Sequence, residues 1–348
     1  MPHGEGKRMR FIAGLMVAVF LAACASSGGR GPRATEHGVT HPEAEAVAPT
    51  LSHPGTPESD RAINVAPKLT PPEREFLAAG VHEQQVQVDG HARRWSTVVP
   101  PRADGALPTG LVIVLHGVGG RGADMRSAEF EPLAAAQGAV VAYPDAVGGA
   151  WNDGRPGVDP VVPSVAVDDD IRFLRIVIEE TAARTGADAR RVAVVGFSNG
   201  AVMAGKVAGE LADRVTAVAT IGGTAGQGFE QSCRPARPVG VVVVAGSKDR
   251  TVPYAGGRVA DWGTRRRGFV APVDEFFAFW SRQAGCSSTQ PVAAQPQVSA
   301  ARGEDCRAGV AVLRYRVNGG GHEWFRPPGL DTTKVVWDFV SGRFAAAA

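Results

Sequence analysis

The chain has 348 residues, of which 44% are hydrophobic and 21% are charged, a composition typical of a globular protein. Its formal net charge is +2. Because this charge is so small, the sequence excludes the strongly basic surface with which many proteins bind nucleic acid.

The N-terminus has the pattern of a bacterial lipoprotein signal. Basic residues precede an apolar run of about 13 residues, Phe11 to Ala23, which is the length of a signal-peptide core and too short to span a bilayer. The run leads into Leu-Ala-Ala-Cys, which resembles a lipobox, so we expect a signal peptide over 1–23 and a lipid on Cys24. An ordinary secretory signal is the alternative. The lipid predicts an extracytoplasmic protein attached to a bacterial membrane, in the periplasm or at the cell surface.

Residues 24–74 have the composition of a flexible linker. Ser, Gly, Pro, Thr, Ala, Glu and His dominate, and few large apolar side chains are present. Such a segment cannot bury enough surface to offset the entropy lost on ordering. We therefore expect a lipid-anchored, disordered linker over 24–74 and one folded domain over 75–348.

Apolar strands alternate with helices through the expected domain. The stretches with strand composition are "WSTVVP", "GLVIVLHG", "AVVAYPD", "RVAVVGFS", "VTAVATIGG", "VGVVVVAGS" and "VAVLRYRV". The stretches with helical spacing are "AEFEPLAAAQG", "DDDIRFLRIVIEETAARTG", "NGAVMAGKVAGEL", "VDEFFAFWSRQAG" and "DTTKVVWDFV". This alternation predicts an α/β domain whose mostly parallel sheet is covered by helices on both faces.

The stretch Gly196-Phe197-Ser198-Asn199-Gly200 matches the G-x-S-x-G pattern of a nucleophile elbow. It follows an apolar strand and precedes a helix, which is the context that this turn requires. Side chains larger than glycine would collide at so sharp a corner, and the turn lifts the Ser198 hydroxyl clear of the backbone. The unpaired N–H groups of the helix N-terminus also face the site, so the Asn199 N–H is a candidate donor to an oxyanion.

A serine needs a base and an orienting carboxylate to act as a nucleophile, and in this type of sheet they follow it in the order acid, then histidine. His322 is the only histidine after Ser198, and a glycine-rich stretch precedes it. Asp249 directly follows the most apolar strand, which places it at the same sheet edge as Ser198. Asp261 and Asp274 are rival acids in loop or helix-start contexts. We therefore predict a triad of Ser198, Asp249 and His322.

A second oxyanion donor usually comes from a loop after an early strand. The stretch "LHGVGG", Leu115 to Gly120, is such a loop. We expect the Val118 N–H to be the donor, with Gly117 allowing the backbone to approach. A plain glycine-rich turn is the alternative, and His116 is expected to have a structural role.

Three cysteines lie in the expected domain. Cys286 and Cys306 flank a polar stretch rich in Pro, Ser and Gln, and an extracytoplasmic location permits a disulfide between them. Cys233 then remains unpaired, with no assigned role. The spacings of the cysteines and histidines match no metal site, so no metal is expected.

Together these motifs resemble the polyhydroxybutyrate-depolymerase and feruloyl-esterase group of α/β-hydrolases, a carbohydrate-esterase type related to LpqC-like lipoproteins. The matching stretches are "VLHGVGG", "WNDGR", "DDDIRF", "GFSNGAVMA", "GSKDRTVPY" and "GGGHEWF". The resemblance implies an α/β-hydrolase fold and ester hydrolysis by Ser198, Asp249 and His322 without a cofactor. It also implies that "WNDG" lies near the site, where Trp151 and Trp324 either form an apolar wall for the substrate or serve in packing.

The expected function is that of an extracytoplasmic serine esterase acting on feruloyl or acetyl esters of sugars, or on short hydroxyalkanoate oligomers. Polyhydroxybutyrate itself is an alternative substrate, although "HEWFRPPG" departs from the Trp-Pro-Gly that usually follows the histidine in this group. The motifs also leave open a serine peptidase and a non-catalytic surface-binding protein on a hydrolase scaffold. The interval between Ser198 and Asp249 is short, which favours an open cleft without a large lid and therefore short acyl chains.

Overall fold

Residues 76–102, 106–159, 170–261, 263 and 265–346 are described by a computed structural model of the chain. The expected signal peptide, the expected lipidation site Cys24 and the expected linker lie outside these described residues. Within the described ranges, no helix combines the length and the apolar character that crossing a membrane would need.

Strands and helices alternate along the described part of the chain. The strands are β1 (Gly80–Val88), β2 (His91–Val99), β3 (Leu111–Leu115), β4 (Val140–Pro144), β5 (Val192–Phe197), β6 (Ala217–Ile221), β7 (Gly240–Gly246), β8 (Gly257–Arg258), β9 (Phe269–Val270), β10 (Ser288–Val292), β11 (Val298–Glu304) and β12 (Val312–Val317). The helices are α1 (Phe130–Gln137), α2 (Asp170–Thr185), α3 (Asn199–Glu210), α4 (Val273–Gln283) and α5 (Thr332–Ala346).

The large sheet has a parallel centre. Its strand order is β1-β2-β4-β3-β5-β6-β7-β12-β11-β10, and the strands from β4 to β12 in this order are parallel. Every residue of β3 and β7 is buried, which is why these strands appear in the sequence as continuous apolar runs. Leu115 pairs with Gly196, and Phe197 pairs with Ile221, so neighbouring strands end at nearly the same level. The loops that follow these strands therefore meet along one edge of the sheet.

Helices cover both faces of this sheet. On one face, α2, α3 and α4 share a core with the strand residues Ile113 and Val194. On the other face, α1 and α5 share a core with Val112 and Val195. Successive residues of a strand point to opposite faces, so each central strand contributes to both cores. This architecture confirms the predicted α/β-hydrolase fold.

The edges of the sheet are antiparallel, which no pattern in the sequence predicts. β1 pairs with β2 at one edge, and β10 pairs with β11 at the other. The hairpin of β10 and β11 occupies the polar stretch between Cys286 and Cys306, for which the sequence analysis predicts no strand. All five residues of β10 are exposed, so no alternation of apolar and polar residues marks this strand. Pro291 fits an edge strand, where one N–H donor can be missing.

A disulfide joins Cys286 to Cys306, the pair expected from the sequence. Cys286 lies between α4 and β10, and Cys306 follows β11, so the bond closes the base of this hairpin. Cys233 is a free, half-buried thiol, and burial raises its pKa to about 11. At neutral pH this thiol is therefore protonated and a poor nucleophile.

Removing the disulfide should destabilise the fold. The bond closes a loop with a sequence separation of 20, for which the chain-entropy model gives about 3 kcal/mol of stabilisation. We expect the double variant Cys286→Ser/Cys306→Ser to lose roughly this much free energy of unfolding in urea denaturation. Cys233→Ser is the matched control, because this cysteine is also half-buried but unpaired. Equal free energies of unfolding for the double variant and the wild type would contradict the assignment.

Candidate active site

Ser198 lies on a tight corner between β5 and α3. Its φ of 57° and ψ of −118° are strained for a residue that carries a side chain. The backbone is closely packed at this corner: a Cβ at Gly196 would lie 2.0 Å from the Gly200 carbonyl oxygen. A Cβ at Gly200 would lie 2.5 Å from the Leu115 carbonyl oxygen of β3. Both positions therefore require glycine, which accounts for the spacing of the G-x-S-x-G pattern.

The structure brings Ser198, His322 and Asp249 into one continuous chain of hydrogen bonds. His322 Nε2 is 2.9 Å from Ser198 Oγ, and His322 Nδ1 is 2.7 Å from Asp249 Oδ2. The other carboxylate oxygen of Asp249 accepts hydrogen bonds of 2.8 Å from the N–H groups of Thr251 and Val252. A carboxylate beside Nδ1 accepts a hydrogen bond from that nitrogen, which leaves Nε2 free to accept the Ser198 proton. This arrangement can turn a hydroxyl into a nucleophile.

The rival acids have other partners. Asp261 forms an ion pair with Arg258, and Asp274 forms one with Arg314 over 2.5 Å. Asp249 is the carboxylate of the three that contacts the imidazole, and its side chain is only 1% exposed. Water therefore competes little for the hydrogen bond between this acid and the ring.

Phe197 and Gly222 form the seat of the His322 ring, and neither residue is singled out by the sequence motifs above. The ring centroids of Phe197 and His322 are 5.1 Å apart, and their planes are inclined by 33°. Gly222 has a φ of 62°, and a Cβ there would lie 3.2 Å from His322 Cε1. A side chain at this position would thus strain the backbone and displace the imidazole. The signal in the sequence is the glycine pair that follows β6, in the stretch "IGGT".

The two expected oxyanion donors belong to loops that meet at Ser198. A Cβ at Gly117 would lie 3.2 Å from Ser198 Cβ, so the loop after β3 lies directly against the serine. Asn199 is the first residue of α3, where helical N–H groups have no partner within the helix. Among the residues that the structure describes, no protein group accepts a hydrogen bond from the N–H of Val118 or of Asn199. Both N–H groups are therefore available to a ligand.

Trp151 does not line a cleft, so the prediction of an apolar wall is wrong at this position. The residue is only 1% exposed. Its indole N–H donates to the His116 carbonyl over 3.0 Å, and its backbone N–H donates to Asn199 Oδ1 over 2.7 Å. Trp151 packs inside the protein, because the loop that carries it is held against two other loops of the site.

Trp324 is half-buried and lies beside the seat of His322. Its ring meets Phe197 edge-on, with 6.3 Å between the centroids, and meets Phe130 at 5.8 Å. The indole N–H donates to Thr333 Oγ1 over 3.0 Å, which fixes the orientation of the ring. A contact between Trp324 and the substrate stays a prediction.

His116 is buried and is held as a neutral imidazole. Its Nε2 accepts a hydrogen bond from the Ala146 N–H over 3.0 Å, so the ring proton lies on Nδ1, which donates to the Gly117 carbonyl over 2.7 Å. Burial lowers the pKa of this ring, because the charged form would lose its hydration. Backbone groups occupy both ring nitrogens, which agrees with the expected structural role.

Two buried ion pairs lie at the loop Trp151–Gly154, which follows β4. Asp153 pairs with Arg155 over 2.9 Å, and Asp170 at the start of α2 pairs with Arg93 of β2 over 2.5 Å. The sequence motifs do not identify Arg93, because a single arginine in a strand gives no sign of a partner 77 residues away.

Across the described ranges, no three His, Cys, Asp or Glu side chains are grouped closely enough to hold a metal ion.

Proteins that are similar to this chain include several esterases. The chain is 30% identical, over an alignment of 366 residues, to the "Putative esterase NocK" of Nocardia uniformis subsp. tsuyamanensis, and the match covers 95% of this chain and 98% of that protein. It is also 30% identical over 244 residues to feruloyl esterase B of Piromyces equi, with 68% of this chain but 42% of that protein covered. Among solved structures, an acetyl xylan esterase from Aspergillus awamori has 16% identity and a TM-score of 0.48, with 76% of this chain and 99% of that chain covered. No family model matches the sequence.

Proposed function

Because the chain belongs to the esterase family of the Nocardia protein, within the α/β-hydrolases, we propose that Ser198, His322 and Asp249 are its nucleophile, general base and orienting acid. One observation carries the proposal: hydrogen-bond contacts of 2.7 and 2.9 Å run without a break from Asp249 Oδ2 through the imidazole to Ser198 Oγ. The strained corner at Ser198 and the shielded carboxylate of Asp249 support these roles.

Acylation is the first half of the proposed reaction. Ser198 Oγ attacks the carbonyl carbon of the ester while His322 Nε2 takes the hydroxyl proton. The carbonyl oxygen gains a negative charge, and the N–H groups of Val118 and Asn199 donate hydrogen bonds to it. The bond between the carbonyl carbon and the alcohol oxygen then breaks, and His322 gives its proton to that oxygen. The alcohol leaves, and the acyl group stays on Ser198.

Deacylation repeats these steps with water as the nucleophile. His322 takes a proton from water, and the resulting hydroxide attacks the acyl carbon. The bond to Ser198 Oγ breaks, the proton returns to this oxygen, and the carboxylic acid leaves. Asp249 remains ionised and stabilises the imidazolium in both halves. His322 carries each transferred proton, so the cycle balances without a cofactor.

The proposed substrates are feruloyl or acetyl esters of sugars, or short hydroxyalkanoate oligomers. The motif resemblance and the name of the Piromyces relative support an aromatic or short acyl group. Trp324 offers an aromatic surface close to the His322 seat. The chain between Ser198 and Asp249 contains α3, β6 and β7, and the longest connection between them, residues 222–239, is short for a large lid. An open cleft cannot shield a long acyl chain from water.

The proposed location is outside the cytoplasm, on a bacterial membrane, with the lipid on Cys24. The basic, apolar and small-residue pattern of residues 1–24 supports this location. The disulfide between Cys286 and Cys306 supports it as well, because such bonds persist in oxidising compartments.

Substitutions in the triad should abolish ester hydrolysis without unfolding the protein. Ser198→Ala should lower kcat on p-nitrophenyl acetate by about 10⁴- to 10⁶-fold, because the members of a triad act as a unit. Asp249→Asn should also lower kcat strongly, because an amide no longer fixes the tautomer of His322. Asp274→Asn is the control, since this rival acid pairs with Arg314 instead. Wild-type kcat in Ser198→Ala or in Asp249→Asn would contradict the role given to that residue.

Rates on p-nitrophenyl esters should depend on the length of the acyl chain. Each shielded CH₂ contributes about 0.8 kcal/mol of affinity, and an open cleft shields few of them. We expect kcat/KM to peak at roughly two to four acyl carbons and to fall well before palmitate. Methyl ferulate and hydroxybutyrate oligomers complete the panel and distinguish the acyl classes. A rate that keeps rising to long chains would contradict the open cleft.

The lipid anchor predicts where the protein is found after cell fractionation. The wild type should remain with the membrane in the absence of detergent, and mass spectrometry of its mature N-terminus should find a lipid on Cys24. Cys24→Ser should move to the soluble fraction, whereas Cys233→Ser should stay with the membrane. An unmodified Cys24 in the mature protein would contradict the anchor.

A further inference from the structure

The side chain of Asn199, next to the proposed nucleophile, is fully engaged with one neighbouring loop. Its Oδ1 accepts a hydrogen bond from the Trp151 N–H over 2.7 Å. Its Nδ2 donates to the Trp151 carbonyl over 3.1 Å and to Asp153 Oδ2 over 2.5 Å. Asn199 is 1% exposed, so water hardly competes for these bonds. The amide therefore fixes the start of α3, and with it the Asn199 N–H, to the loop Trp151–Gly154.

The same loop reaches the other expected donor through the indole of Trp151. The indole N–H donates to the His116 carbonyl over 3.0 Å, and the centroids of the indole and imidazole rings are 5.2 Å apart. His116 is two residues before Val118, in the loop after β3. Two other hydrogen bonds join this loop to the loop after β4: the Ala146 N–H donates to His116 Nε2 over 3.0 Å, and the Gly119 N–H donates to the Gly149 carbonyl over 2.7 Å. Trp151 hydrogen-bonds to both sides, because its backbone contacts Asn199 and its indole contacts His116.

The loop Trp151–Gly154 is itself tied to the sheet. The Asn152 N–H donates to Asp170 Oδ2 over 2.6 Å. Asp170 in turn forms an ion pair with Arg93 of β2, and both of these side chains are at most 2% exposed. A buried pair of this kind resists opening, because each charge would lose its partner without gaining water. The loop therefore has a fixed position from which it can hold the two donors.

We propose that Trp151 and the Asn199 side chain are positioning residues, which hold the N–H groups of Val118 and Asn199 at the spacing that an oxyanion needs. Such donors act when they lie about 2.7–3.1 Å from the charged oxygen, so a small shift between the two loops weakens one or both bonds. The ground-state carbonyl carries little charge, so this shift affects kcat more than KM. The inference rests on the proposed function, because it requires an oxyanion to form at Ser198.

Trp151→Phe tests the link to His116, because it keeps a buried aromatic ring and removes the indole N–H. We expect kcat on p-nitrophenyl acetate to fall by about tenfold to a hundredfold, less than for the loss of a whole donor, with KM changed by less than about twofold. A trifluoromethyl ketone forms an adduct with the serine that carries an oxyanion. Its affinity should fall by the same factor as kcat/KM.

Trp95→Phe is the matched control. Trp95 is 3% exposed, and its indole N–H donates to Thr181 Oγ1 over 3.2 Å, between β2 and α2. This variant should lose thermal stability to a similar extent, but it should keep the kcat and the ketone affinity of the wild type. Wild-type kinetics in Trp151→Phe, equal kinetic losses in both variants, or a loss confined to KM would overturn the proposal.

A second set of variants tests the Asn199 side chain, including the case in which Trp151→Phe does not fold. Asn199→Asp should lower kcat, because the new carboxylate faces the carboxylate of Asp153. Adding Asp153→Asn restores an amide–carboxylate pair with the roles exchanged, and kcat should lie about tenfold above the product of the two single losses. Asp153→Asn alone is measured as well, because it removes the carboxylate that pairs with Arg155. The backbone N–H at position 199 is the same in every variant. Losses in kcat that simply multiply from the two single variants to the double variant would contradict a positioning role for this hydrogen bond.

Failure of the proposed function and failure of the positioning role give different results. A Ser198→Ala variant that keeps its activity would contradict the proposed function. An inactive Ser198→Ala variant together with wild-type kinetics in Trp151→Phe would contradict the positioning role of Trp151 alone.

Discussion

The close approach of β3, β5 and α3 at Ser198 is the constraint on which the arrangement of the site depends. No side chain fits between these elements, since a Cβ at Gly200 would lie 2.5 Å from the Leu115 carbonyl oxygen of β3 and equally close to that of His116, the next residue. The approach bends the chain sharply enough to give Ser198 its positive φ, and it directs the start of α3 to the edge of the sheet. The same contact brings the loop after β3 against the serine. One steric condition thus places the hydroxyl and both candidate oxyanion donors together.

Parallel pairing brings the other two members of the proposed triad to the same edge. β7 and β12 are parallel neighbours, so the loops with Asp249 and His322 leave the sheet side by side. The contact is again close: a Cβ at Gly246 would lie 2.3 Å from the Gly321 carbonyl oxygen. The imidazole then rests on the ring of Phe197, the residue before the nucleophile. The position of the imidazole is therefore fixed by contacts with β5 and with the loop after β7, and by its own place after β12.

The central elements and the close approach of Ser198, Asp249 and His322 could be predicted from the sequence because their signals are local. Continuous apolar runs mark β3 and β7, and the order serine, acid, histidine leaves few candidates. Three features have no such signal. The exposed strand β10 shows no alternation of apolar and polar residues. The pairing of Arg93 with Asp170 joins residues that are far apart in the sequence. The sequence around Trp151 does not show whether its ring faces a substrate or the interior. In each case the deciding information is tertiary.

Labelling with a fluorophosphonate tests the activated serine most directly, because this reagent reacts with a serine whose proton a neighbouring base removes. Peptide mass spectrometry should find one phosphonate group per chain, on Ser198, in the folded wild type. His322→Ala should react far more slowly, because the imidazole that lies 2.9 Å from the hydroxyl is then missing. Labelling at another serine, or an unchanged rate at Ser198 without His322, would contradict the triad.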